Sequence, residues 1–350
     1  MDEAVRLLER LSTSYAPPGG EDTVASEVAS FLEGYVKSLE RDGLGNLIAR
    51  TGRGGPRVML AAHMDEVAMM VNWIDEEGYL SFIPVGGLDV RILIGQRVVV
   101  HGVKGPLEGC IGIKPPHITP QEEAKRVPEI RELHIDIGAS SRAEAEEAGA
   151  RIGSYATFPA HFARLVGLRV MGKAFDDRVG CVVEALVTRA AAMEELGVEL
   201  YSVFTVQEEV GLRGATTAVN SVNPEYAIVL EGSVAADTPG VPEQSRVTRL
   251  GKGAAVRIMD STMITKRGFY ELLVRAAERA GAAWQPQIVL GSGTDAGRIH
   301  LHGRGVATGV VGVPCRYLHS PHLILDLRDL EAAYKLTLEA LRLISEERRP

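Results

Sequence analysis

Four apolar runs of strand length each lead into an ionisable residue, and this recurrence constrains the fold more than any other feature of the chain. Arg57-Val-Met-Leu-Ala-Ala62 delivers His63 and Asp65, and Glu199-Leu-Tyr-Ser-Val-Phe-Thr-Val206 delivers Glu208 and Glu209. Tyr226-Ala-Ile-Val-Leu230 meets Glu231, and the run 306–313 leads on to His319 and His322. Runs that are apolar on both faces belong in a sheet covered on both sides. Between them lie helical patterns over 176–195, 214–222 and 269–280, and a closing one over 327–346. Two more helices are expected near the start, one carrying Val5, Leu7, Leu8 and Leu11, the other spanning 23–37. Strands alternating with helices predict an α/β fold with a mixed, mostly parallel sheet and helices on both faces.

The texture changes over the middle of the chain. Short β-like runs such as Gly95-Gln-Arg-Val-Val-Val-His-Gly102 alternate with turn signals such as Gly86-Gly87 and Pro115-Pro116. One α/β domain is therefore expected from residues 1–66 and 164–350, with a small β-rich domain, 67–163, inserted into it.

Composition removes several classes of function. The formal charge is −8 and no run of Lys and Arg opposes it, which argues against a nucleic-acid-binding surface. The C-terminal Arg348-Arg349 reads as a solvated tail. No apolar run approaches the ~20 residues of a membrane span. The start, Met1-Asp2-Glu3-Ala4, does not read as a secretory signal, so a cytoplasmic location is expected. Cys110, Cys181 and Cys315 show no CxxC spacing and are expected to be small buried apolar residues.

The chemistry resides in the residues at the strand ends. Taken alone, each has a bland reading: Glu208-Glu209 as solvated loop acids, His63 as a paired polar group, Asp176-Asp177 as helix caps. Ligands of open α/β sheets gather at the carboxyl ends of strands. His63 and Asp65 share a face by their spacing of two, so Asp65 can orient a metal-bound imidazole. One of Asp176 and Asp177 can bridge two cations while the other caps or orients it. Such a set of His, Asp and Glu suits Zn²⁺, Co²⁺ or Mn²⁺. The loop Gly291-Ser-Gly-Thr-Asp-Ala-Gly297 is a candidate pocket wall carrying Asp295, and it lacks the phosphate-binding GxxxxGK[ST] pattern.

At these residues the chain resembles the M42 family of metallo-aminopeptidases, which includes the tetrahedral TET peptidases. The resemblance runs from Ala16-Pro-Pro-Gly to His319 and rests on AAHMDEV, GQRVVVHG, GCIGIKPPH, DIGASS, GKAFDDRVG, VQEEVGLRGA, ADTPG, GSGTDAG and PCRYLHSP. It implies a zinc-peptidase-like fold with two divalent ions per subunit, Zn²⁺ or Co²⁺. It also implies His63 and Glu231 on one ion, Glu209 and His319 on the other, and Asp176 bridging them. Glu208 would be the general base and Asp65 the support of His63. Two positions depart from the family pattern: many relatives carry Asp at Glu231, and many carry Glu where His322-Leu323 follow Pro321. The resemblance further implies peptide substrates and homo-oligomers, with the inserted domain making dimers that build a tetrahedral dodecamer. The rival readings are another dinuclear hydrolase (a deacylase or carboxypeptidase), a glucanase, and a non-catalytic assembly protein.

Overall fold

The direction of each strand, which an apolar pattern does not encode, distinguishes the observed sheet from the expected one. The computed structural model describes residues 1–52, 54–194 and 196–347. Glu195, at the end of one expected helix, and the Arg348-Arg349 tail lie outside the described residues.

The chain opens with α1 (Asp2–Thr13), α2 (Asp22–Leu32), β1 (Ser38–Arg41), β2 (Leu47–Thr51) and β3 (Arg57–His63). A second stretch holds β4 (Ala68–Ile74), β5 (Leu80–Val85), β6 (Arg97–Gly102), β7 (Gly105–Gly112), α3 (Gln121–Ala124), β8 (His134–Asp136), α4 (Arg142–Ala148) and β9 (Tyr155–Thr157). The third begins with β10 (Phe162–Arg164), β11 (Arg169–Gly172), α5 (Phe175–Glu194), β12 (Glu199–Thr205), α6 (Arg213–Val222), β13 (Tyr226–Val234) and β14 (Ala254–Met259). It ends with α7 (Arg267–Arg279), β15 (Trp284–Ile288), α8 (Ala296–Ile299), β16 (Ala307–Arg316), β17 (Leu323–Asp326) and α9 (Leu327–Glu347). Contacts divide the chain into two units: Met1–Asp65 with His161–Leu318 and the chain from His322 on, and Glu66–Ala160 with His319–Pro321.

In the larger unit the sheet order is β1-β2-β12-β3-β13-β16-β17-β11-β10, with β14 joined to β16 and β15 to β14. The four central strands β12, β3, β13 and β16 are mutually parallel. The flanks are not: β1, β2, β10, β11 and β17 pair antiparallel, as β14 does with β16. The sheet is thus mixed rather than mostly parallel. Within the flanks β1 and β2, β10 and β11, and β16 and β17 are joined by short connections, which antiparallel pairing permits and parallel pairing does not.

Side-chain alternation divides the sheet's two faces. Val58, Leu60 and Ala62 of β3 and Ile228 and Leu230 of β13 enter the large core shared with α1, α2, α5, α7 and α9. Met59, Ala61, Ala227 and Val229 enter a smaller core with α6 and α8. With period two, His63 and Glu231 continue the second series. Helices therefore cover both faces, and the helix expected over 23–37 stops at Leu32, ahead of Gly34 at φ +80°.

The smaller unit is a closed six-stranded barrel, β4-β5-β8-β7-β6-β9. Met69, Val71, Leu80, Phe82, Val98, Val100, Ile111 and Ile135 fill it. Closure leaves no unpaired strand edge. Ser141 caps α4 by accepting from the Glu144 N–H at 3.2 Å. Cys110, on β7, is exposed rather than buried, because it falls on the outward parity of its strand; Cys181 and Cys315 are buried as expected.

Candidate metal centre

Parallel strands end on the same edge, so β3, β12 and β13 bring their terminal residues together. Thr205 of β12 pairs with His63 of β3. Two residues beyond the pairing of Val229 with Ala61, Glu231 lies level with His63. β13 runs on to Val234, so Glu231 sits inside the strand rather than just beyond it.

His63 is 2% exposed and surrounded by acids. Its Nδ1 lies 3.4 Å from Asp65 Oδ1, and its Nε2 lies 3.3 Å from Asp176 Oδ1, 3.5 Å from Glu231 Oε1 and 4.0 Å from Glu208 Oε2. One ring nitrogen thus faces the supporting carboxylate and the other faces the cluster. Ligand atoms of His63, Glu208 and Glu231 lie within 4.8 Å of one another, as do those of Asp176, Asp177 and Glu231. Asp176 and Glu209 approach each other within the same distance.

The two aspartates have different work. Asp177 is fully buried, and its Oδ2 accepts from the His63 N–H at 3.1 Å. Its Oδ1 accepts from the N–H groups of Gly180 at 2.9 Å and Gly232 at 2.8 Å. A side chain at Gly180 would collide with the Asp177 carboxylate, and one at Gly232 would come within 2.9 Å of Asp176 Cα. Asp177 ties the start of α5 to β3 and β13, while Asp176 presents its carboxylate to the imidazole. Both residues have non-helical backbone angles, so regular helix begins only after them.

Asp65 does more than face His63. Its Oδ1 accepts from the Glu208 N–H at 3.0 Å and its Oδ2 from the Glu209 N–H at 3.1 Å. It therefore holds the backbone of the Glu pair as well as the imidazole. Asp295, on the glycine-rich loop before α8, is buried and accepts from Thr205 Oγ1 at 2.5 Å.

The electrostatics show a deficit of positive charge. Burial would lower the His63 pKa, but Glu208, Asp176, Asp65 and Glu231 hold it well above the ordinary value. Burial, then the charge of Glu231 and Asp176, pushes Asp177 well up against the opposing pull of His63. Burial and the acids Glu231, Asp295 and Glu209 do the same to Glu208. Glu231 is raised to about 7, chiefly by burial. A proton on one imidazole stands in for the larger positive charge that these acids can hold. Buried carboxylates in this number are stable when they coordinate cations, and oxygen and imidazole donors suit borderline divalent ions. The donor set fits a metal.

His319 belongs to the segment grouped with the barrel unit. It has φ +56°, and its Nδ1 lies 2.7 Å from the Gly87 carbonyl. A carbonyl only accepts, so Nδ1 carries the proton and Nε2 is the ligand-competent nitrogen. His322, three residues on, contacts His161 through Nδ1 to Nε2 at 2.9 Å. Sequence reasoning missed Glu21 and Asn46, which bind the backbone next to the Glu pair; the only signal was an acid directly after Pro17-Pro-Gly-Gly20, at the N-cap of α2.

The family model for the M42 glutamyl aminopeptidases matches residues 45–336. A TET aminopeptidase from a marine sediment archaeon of the Thaumarchaeota superposes with a TM-score of 0.96 at 38% identity, covering 99% of this chain and 98% of that one. The TET1 peptidase of Pyrococcus horikoshii, which can assemble into a tetrahedron or a large octahedral shell, gives 0.87 at 35% identity over 97% and 99%. The lysyl aminopeptidase of Pyrococcus furiosus is 35% identical over 315 residues, 88% of each chain. Among the described residues no helix is long and apolar enough to cross a membrane. With the family model covering most of its length, the chain belongs to the M42 family of peptidases, the aminopeptidases.

Proposed function

We propose that this chain is a dinuclear, metal-dependent aminopeptidase that removes residues from the N-termini of peptides. The observation that carries the reading is the acid cluster around His63, at the shared edge of three parallel strands, with too little positive charge of its own. His63 and Glu231 would hold one ion, Glu209 and His319 the other, and Asp176 both. Asp65 would fix the His63 tautomer. The ions, Zn²⁺ or Co²⁺, polarise the scissile carbonyl and acidify a water when bound.

Glu208 is the proton carrier. Its Oε2 lies 4.0 Å from His63 Nε2 and it is assigned to neither ion, so it is placed to act first as base and then as acid. It accepts a proton from the attacking water and passes it to the leaving nitrogen as the C–N bond breaks. Glu208→Gln keeps the shape and removes the proton acceptor. That variant should retain metal and fold while kcat falls by about 10²–10⁴; turnover near the native rate excludes the role.

Residues 67–163 would form the dimerisation domain. Homo-oligomers extending to a dodecamer, and a cytoplasmic location, complete the proposal. The TET assemblies support the first, and sizing of the purified protein tests it. The matches carry both glutamyl and lysyl names, so a panel of aminoacyl-nitroanilides is the direct measure of residue preference.

A further inference from the structure

β12 ends at Thr205, and beyond it four successive backbone N–H groups donate to side-chain oxygens. Val206 donates to Asn46 Oδ1 at 3.0 Å and Gln207 to Glu21 Oε1 at 3.0 Å. Glu208 and Glu209 donate to the two oxygens of Asp65 at 3.0 and 3.1 Å. The bracketed stretch contains Gln207 at φ +55°, a left-handed residue that is not glycine. Such a conformation costs ~1 kcal/mol or more and persists only where neighbours impose it. It also matters for the chemistry. The left-handed residue turns the chain out of the strand direction just before Glu208, and a further turn, closed by the Gly211 N–H donating to the Glu208 carbonyl at 2.9 Å, carries Glu209 out of strand alternation.

Three of the four donors are held by acceptors that are otherwise accounted for. Asp65 faces His63. Asn46 is locked by its own donors to Asp42 Oδ2, the Gly214 carbonyl and Thr217 Oγ1 at 2.6 to 2.9 Å. Glu21 remains, a carboxylate 6% exposed at the start of α2, whose Oε1 accepts from both Gly19 and Gln207. Its grip falls on the left-handed residue of the bracketed stretch 206–209, immediately before Glu208.

We propose that Glu21 is a positioning residue for Glu208: its acceptor on the Gln207 N–H imposes the left-handed turn that aims Glu208 into the site, while Asp65 holds the Glu209 backbone. The proposal rests on the reading of Glu208 as the proton acceptor. It predicts that Glu21→Ala lowers kcat by about 10–10² fold, the loss a misplacement of ~1 Å can cause. KM and metal content should stay near native. Glu21→Gln keeps an oxygen that can accept both N–H groups and should recover most of kcat.

Amide hydrogen exchange in the metal-free protein gives a readout independent of turnover. In Glu21→Ala the Gln207 amide should exchange faster, while Val206, held by Asn46, stays protected; in Glu21→Gln both should behave as in the native chain. If the alanine variant does not fold, Glu21→Asp, one methylene too short to reach, should show the same local exchange. The proposal is overturned by native kcat in Glu21→Ala, by unchanged Gln207 exchange, or by a glutamine variant that falls as far as the alanine one. Normal turnover in Glu208→Gln would instead remove the base assignment, and the exchange pattern would still decide the bracket.

Discussion

Two buried charged clusters lie close together in the larger unit, and they solve the problem of burial in opposite ways. Around Arg257 the charges are matched. Its guanidinium donates to Asp260 Oδ2 at 3.1 Å, Gln287 Oε1 at 3.0 Å and Ser233 Oγ at 3.1 Å. Asp260 Oδ1 accepts from the N–H groups of Thr262 and Met263 and from Thr262 Oγ1. Around His63 one imidazole faces Asp65, Asp176, Glu208 and Glu231, with Asp177 beneath. The first cluster matches its charges within the protein, leaving Gln287 Nε2 as its one buried atom without a partner among the described residues. The second leaves its acids facing one imidazole, a donor set that could hold cations, and that imbalance makes it a candidate for chemistry. The two are linked, since Ser233 follows Glu231 on β13 and the Arg257 charge lowers the Glu231 pKa that burial raises.

The two clusters differ in kind only if metal matters. Chelation followed by dialysis should lower aminoacyl-nitroanilide turnover by at least about 10², and Zn²⁺ or Co²⁺ should restore it. Turnover indifferent to chelator would mean that the acids around His63 serve some other purpose. Next in size is the closed cluster. Arg257→Met strands Asp260 as a buried, unpaired charge and should cost about 3–5 kcal/mol in denaturant unfolding of the metal-loaded protein. A loss below about 1 kcal/mol would show that the pair is not as self-contained as its geometry implies.

The smallest effect sharpens the contrast through pH. In the metal-free protein, folding raises the proton affinity of both Glu231 and His63. Their contribution to stability is full below the unfolded-state pKa values and is lost as pH rises through the folded ones. For Glu231 that window runs from 4.5 to about 7, with a slope approaching ~1.4 kcal/mol per pH unit. The Tm of the stripped protein should therefore fall between about pH 5 and 7, and divalent cation should flatten the trend. A stripped protein that grows more stable across that window would contradict the open cluster.

Much of this site was legible from local pattern. An apolar run that stops at His63, Glu208 or Glu231 announces a buried strand with a polar end, and hydrophobic burial enforces that reading wherever the run is placed. The antiparallel flanks were not legible, because β10, β11 and β17 are three or four residues long and their direction is set by which neighbours they meet. Nor was the division of labour between Asp176 and Asp177, which depends on the amides of His63, Gly180 and Gly232 arriving from three elements. Glu21 lay ahead of the helix expected over 23–37 and carried no signal of its own beyond its place after Pro17-Pro-Gly-Gly20.

Residue order alone laid down the chemical inventory: buried strands and the acids and histidines at their ends. Those properties are carried by residue type and by short-range periodicity. How that inventory is aimed came from the packing of distant segments. That packing set His63 level with Glu231 through strand register, and it turned Gln207 left-handed through acceptors 186, 160 and 143 residues away in the chain. Aim depends on hydrogen bonds between segments distant in sequence, and no local pattern records which distant oxygen will meet which amide.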